Sequence, residues 1–189
     1  MTTSIMIVGV GGQGTLLASR ILGAAMLSQG YDVKVSEVHG MSQRGGSVVT
    51  YVKFGEEISS PIIDAGEADF ILAFEQLEAA RWLPYLKPDG KIIANTQRID
   101  PMPVITGAAE YPQGIAEALR GAQVSVQALD ALALAEQAGS AKAVNVVLLG
   151  ALARQMDLPK GVWLEAVRGT VKPQFAEMNL KAFEMGYGA

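Results

Sequence analysis

SIMIVGVGGQG, residues 4–14, decides how the rest of the chain reads. Residues 4–8 form a short apolar run that stops at Gly9, the pattern of a buried parallel strand. Gly9, Gly11 and Gly14 then fit G-x-G-x-x-G. TLLASRILGAAMLSQG (15–30) follows with apolar residues at helical spacing and Gly30 placed to end it. A strand before and a helix after is the context in which this pattern has physical meaning. Gly9 makes the turn, Gly11 lets a phosphate approach the backbone, and Gly14 lets the helix lie close to the strand. Free N–H groups at the helix start form an anion site. The loop therefore reads either as a nucleotide cradle or as a tight turn that serves the fold alone. Gly12 and Gln13 open it further, and a glutamine at a loop tip can hydrogen-bond a ligand or a partner backbone.

Outward from this loop, strands alternate with helices. YDVKVSE (31–37), SVVTYVKFG (47–55), ADFILAFE (68–75), GKIIANT (90–96) and QVSVQALD (123–130) read as further strands. QLEAARWLPYL and YPQGIAEALRG read as short helices. IDPMPVITG (99–107), with two prolines, reads as a loop or edge segment. From residue 131 onward the pattern is helical, with breaks at Pro159 and Pro173. The expected fold is α/β: a Rossmann-like three-layer sandwich, its sheet mostly parallel, with helices on both faces and a helical C-terminus. The C-terminal helices are expected to cover one face and to be available for docking. One domain, 1–189, is expected from the length.

In such sheets ligands bind outside the carboxyl ends of the strands. Those ends carry residues 9–14, 37–46, 75–78 and 95–98. Glu37 closes the second strand at about the spacing, some 20 residues, at which an acid meets a ribose hydroxyl. EVHGMSQRGGSV (37–48) then gathers the only histidine, an arginine and three glycines. His39 reads either as a group titrating near neutrality or as a hydrogen-bonding or packing residue, since no orienting partner is evident. Arg44, beside Gln43 and before Gly45 and Gly46, reads either as a clamp for a phosphate or carboxylate or as a surface arginine paired with Glu37 or a partner subunit. No catalytic residue is assigned.

Composition narrows the functions. Half of the 189 residues are hydrophobic and 18% are charged, enough for a sizeable core. A net charge of −4 without a block of like charges speaks against nucleic acid. There is no cysteine, so no disulfide, cluster or thiolate zinc site can form, and one histidine excludes a histidine-rich metal site. The start of the chain lacks a basic region ahead of its apolar run. The longest apolar stretch, AVNVVLLGALA (143–153), falls short of the roughly 20 residues of a membrane span. A cytoplasmic chain without membrane attachment is expected. No G-x-S-x-G elbow and no P-loop lysine occurs.

GVGGQG, EVHGMSQRGGSV, SSPII, ADFILAFEQLEAAR and VKPQFAEMNLKAFEMGY together resemble the γ-type domain of 2-oxoacid:ferredoxin oxidoreductases, over residues 5 to 187. Within that family the likeness is to the small β subunits of indolepyruvate-type enzymes, because the residues before RGG differ from those of 2-oxoglutarate members. The resemblance implies a two-subunit enzyme that oxidatively decarboxylates a 2-oxoacid with coenzyme A, reducing ferredoxin. It implies thiamine diphosphate and [4Fe–4S] clusters in a large α subunit and none held by this chain, which also lacks a GDG thiamine signature. The chain is then not active alone, and Gly11–Gly14 with His39–Gly46 face the α subunit or coenzyme A. Isolated, it is expected to form a homodimer through apolar surfaces. Three alternatives remain: a γ subunit acting on pyruvate, 2-oxoisovalerate or 2-oxoglutarate, a free-standing NAD(P)-binding Rossmann protein, and an adenylating enzyme of the ubiquitin-activating type.

Overall fold

The computed structural model describes residues 2–39 and 45–189, with His39 described by its backbone alone. Six strands form one sheet among these residues: β1 (Thr3–Val10), β2 (Asp32–His39), β3 (Ser47–Gly55), β4 (Ala68–Ala73), β5 (Leu86–Asn95) and β6 (Ser125–Leu129), in the order β2-β3-β1-β4-β5-β6. β1, β4, β5 and β6 pair in parallel. β3 runs antiparallel to both β1 and β2, so β2 runs with β1. The mostly parallel sheet is as expected. What the sequence did not indicate is that β2 and β3 make a hairpin that inserts β3 between β1 and β2.

The helices are α1 (Thr15–Ser28), α2 (Gln76–Trp82), α3 (Met102–Ile105), α4 (Ile115–Gly121), α5 (Ala131–Ala138), α6 (Val144–Arg154), α7 (Lys160–Thr170) and α8 (Ala176–Tyr187). The expected loop at 99–107 thus contains one helical turn. The strand expected at 90–96 starts at Leu86, with Pro88 lying within its register shift against β4.

Period-2 alternation along β1 divides the core in two. Ile5 and Ile7 face α1 and the C-terminal helices, while Met6 and Val8 face α2 and α4. All four are fully buried, and each such side chain contributes about 1.5–3 kcal/mol by leaving water. Helices therefore lie on both faces, as expected for three layers.

On the first face the helical layer is two deep. Every residue from Val144 to Ala153 is buried, so α6 is apolar all round, as a helix enclosed by protein must be. α8 lies over it at a very close crossing: a Cβ on Gly150 would sit 2.1 Å from the Phe183 carbonyl oxygen, and one on Gly186 would sit 1.8 Å from that of Val147. Trp163 of α7 and Phe183 of α8 stack within this layer, with centroids 6.3 Å apart. No described helix is long and apolar enough to cross a membrane.

Candidate functional site

The carboxyl ends of β1, β2, β4 and β5 share one edge with the start of β3, so the loops singled out in the sequence converge there. The direct link is short: Gly11 N–H donates to the Gly46 carbonyl at 2.9 Å. Gly45 and Gly46 are described; Gly45 has φ +76°, where glycine is favoured. Gln43 and Arg44, and the side chain of His39, lie outside the described residues.

Gln13 closes the glycine loop from within. Its Oε1 accepts from Val10 N–H at 2.7 Å and its Nε2 donates to the Phe74 carbonyl at 3.0 Å. The carboxamide thus joins the ends of β1 and β4, the two strands between which the chain's winding direction reverses. Gly9 is needed because a Cβ there would lie 2.8 Å from Gln13 Oε1 and 2.9 Å from Phe74 Cβ. Gly14, at φ +84°, is needed for a different contact from the strand–helix approach expected. A Cβ there would lie 2.6 Å from Asn145 Nδ2, and that nitrogen donates to the Gly14 carbonyl at 3.2 Å. Gly12 has φ +102° and open space where its Cβ would be.

Glu37 stands two strands from the glycine loop, because β3 intervenes. Its Oε2 accepts from Thr50 Oγ1 at 2.9 Å and Thr15 Oγ1 at 3.4 Å, joining β2, β3 and the start of α1. The fully buried hydroxyl of Thr50 is explained by this bond.

Two buried carboxylates hold the other half of the rim, and sequence reasoning did not single them out. Glu75 is 1% exposed. It caps α2 through Glu78 N–H at 3.0 Å and accepts from the Tyr111 hydroxyl at 2.5 Å and Ile99 N–H at 3.3 Å. Burial, and then this bond to Glu75, push the Tyr111 phenol above its usual range, so it stays protonated and donates. Glu78 accepts from Ser47 Oγ at 2.5 Å, Trp82 Nε1 at 3.2 Å and Arg81 Nε at 3.0 Å. Ser47 is the residue after Gly46, so Glu78 fixes the end of the 37–46 loop. The only sequence signal for these groups was the position of Glu75 and Glu78 just beyond a strand; Tyr111 gave none.

Two clefts flank the glycine loop. One, of about 280 Å³, lies against Gly46, Ser47, Glu78, Arg81, Ile99 and Met102. The other, of about 470 Å³, lies against Gly12, Gln13, Gly14, Gln97, Lys142 and Asn145. A larger groove of about 570 Å³ runs between α1 and α7, away from the rim, and Glu165 is the one ionisable residue lining it. No group of three or more His, Asp or Glu side chains that could hold a metal ion occurs among the described residues. Among the described rim side chains, those of Gln13, Glu37, Glu75, Glu78 and Asn145 are bonded to other side chains or to backbone.

Comparison with known proteins places this geometry. Residues 4–189 match the family model described as pyruvate ferredoxin/flavodoxin oxidoreductase. The chain is 44% identical to the indolepyruvate oxidoreductase subunit IorB of Thermococcus kodakarensis, over 98% of this chain and 95% of that one. It is 29% identical to the 2-oxoglutarate synthase subunit KorC of Methanothermobacter thermautotrophicus, over 96% and 92%. The fold is similar to the crystal structure of a keto/oxoacid ferredoxin oxidoreductase γ subunit from Geobacter sulfurreducens, with a TM-score of 0.74 and 24% identity, covering 98% of this chain and 96% of that one.

Proposed function

The chain belongs to the pyruvate ferredoxin/flavodoxin oxidoreductase family, and on that premise we propose that it is the small subunit of an indolepyruvate-type 2-oxoacid:ferredoxin oxidoreductase. The observation that carries this is the contrast in identity along nearly the whole chain: 44% to an indolepyruvate oxidoreductase subunit against 29% to a 2-oxoglutarate synthase subunit. In the reaction, a 2-oxoacid loses its carboxyl group as CO₂, its acyl group passes to the coenzyme A sulfur, and the electrons pass to ferredoxin.

The residues present do not fit the redox groups of that reaction. The chain supplies no thiolate for a cluster. Thiamine diphosphate and [4Fe–4S] clusters belong to a large α subunit. Residues 1–189 act as one γ-type domain in the cytoplasm, associating with that subunit through the rim of residues 9–14 and 37–46, or closing the rim over coenzyme A. The links Gly11 to Gly46 and Ser47 to Glu78 support this role, because they join the glycine loop to the start of β3 and that start to α2.

Co-expression with a large thiamine-binding partner tests the proposal. The expected result is a stable complex that reduces ferredoxin only with indolepyruvate and coenzyme A, and only when both chains are present. Activity of this chain alone, or failure to associate, overturns it. Replacement of Arg44 by alanine is expected to weaken assembly or raise the apparent KM for coenzyme A. A free-standing dinucleotide enzyme would instead show a rise in melting temperature with NAD or NADP, since a native-state ligand stabilises.

A further inference from the structure

From Thr96 to Gly114, Tyr111 is the only buried residue. Every backbone–backbone hydrogen bond described from Arg98 to Gln113 stays inside that segment, most of them within the turn around α3. The ties to the rest of the chain converge on Glu75, which accepts from Ile99 N–H and from the Tyr111 hydroxyl. Arg98 lies 4.2 Å over the Tyr111 ring and reinforces the same point. Val104 adds partial packing against the core. The segment begins just after Gln97, whose carbonyl is bound by Gln76 N–H. It ends at Gly114, at φ +68°, which turns the chain into α4.

This segment also supplies one side of the 280 Å³ rim cleft, through Ile99, Met102 and the neighbouring prolines, while Gly46, Ser47, Leu77 and Glu78 line the remainder. We propose that residues 99–114 are a strap over this cleft, latched to the body through Glu75 and free to swing away as a unit between Gln97 and Gly114. Met102 and Ile105 are 55% and 66% exposed, so the strap carries apolar side chains open to solvent.

Glu75 accepts from Glu78 N–H, Ile99 N–H and the Tyr111 hydroxyl, and losing the hydroxyl's bond to this buried carboxylate is expected to favour opening at least about tenfold. Tyr111→Phe keeps the ring in the core and removes only the hydroxyl. Hydrogen exchange reads local opening. A strap that swings as a unit keeps its internal turn bonds, so the Ile99 amide, bound to Glu75, should exchange at least about tenfold faster in the variant, while the amides of β1 and β4 keep their rates. Because the chain has no cysteine, a Leu77→Cys background provides a single thiol within the cleft. Its labelling rate should rise with the exchange rate when Tyr111→Phe is added. In the unsubstituted chain the Ile99 amide should exchange ahead of the sheet, a result that needs no variant. Three outcomes overturn the proposal: unchanged Ile99 exchange, sheet amides that speed up together with Ile99, or faster Ile99 exchange with unchanged thiol labelling.

Discussion

Gly14 and Asn145 meet across 131 residues of chain: the Asn145 side-chain nitrogen donates to the Gly14 carbonyl at 3.2 Å, in a space that a Cβ on residue 14 would enter. The third glycine of the nucleotide-like pattern is therefore required by the start of α6. Gly14→Ala combines an unfavourable left-handed alanine with loss of this bond, and should cost about 2–3 kcal/mol. Gly12→Ala, left-handed but with open space, should cost about 1–2 kcal/mol. Urea unfolding of the two variants measures the difference, which is the share of the Asn145 contact.

The α6–α8 crossing separates two kinds of helical glycine. Gly186→Ala would drive a methyl group into the Val147 carbonyl, so the helices must part, at about 3 kcal/mol or more. For a chain of this size that lowers the melting temperature by roughly 6–12 °C. Gly169 in α7 has nothing within 4 Å of the position its Cβ would take. Gly169→Ala should therefore stabilise by about 0.5 kcal/mol through its helix propensity. Calorimetry on both variants should show opposite signs.

These contacts also mark where sequence reading stops. The strand at residues 4–8, the glycine turn and α1 were legible, because apolar runs, glycine spacing and helical periodicity are local. The run at 143–153 was legible as apolar, but not the reason for Asn145 within it, since its partner Gly14 lies at the far end of the chain. The place of β3 between β1 and β2 was not legible either. Alternation in SVVTYVKFG identifies a strand, and nothing in it specifies the neighbours. Residues 37–46 were legible as a rim loop because a strand end and three glycines announce one. Its anchor was hidden, for Ser47 reaches Glu78, and Glu75 reaches Tyr111, across separations of 31 and 36 residues.

Glu78 provides a direct test of that anchor. Its carboxylate serves Ser47, Trp82 and Arg81 while only 4% exposed. Glu78→Ala should cost about 2–3 kcal/mol, because a half-buried hydroxyl and an indole N–H lose a charged acceptor. Trp82 is one of only two tryptophans. Its emission should therefore shift in the folded variant, whereas the buried Trp163 signal, from the opposite face, should not. Glu78→Gln retains an acceptor and should cost about 1 kcal/mol.

At low pH the edge strand β2 should loosen at its start. The Lys34 ammonium, hydrogen-bonded to the Asp32 side chain at 2.5 Å, and then Ile58 N–H at 2.8 Å hold the Asp32 carboxyl below its usual value of 3.8. A folded-state value below the unfolded one means the stabilisation is present above about pH 4 and is lost as the pH falls through the folded value. Asp32→Asn should thus flatten the fall in stability below pH 4 while lowering stability at neutral pH. The group is half-exposed, so the Lys34 share should shrink in high salt. The Ile58 bond ties the residues after β3 to β2 and is a direct contact that salt screens less. Acid titration of the melting temperature at low and high ionic strength separates the two. A wild-type slope that persists in high salt but disappears in Asp32→Asn assigns the acid sensitivity to the Ile58 bond.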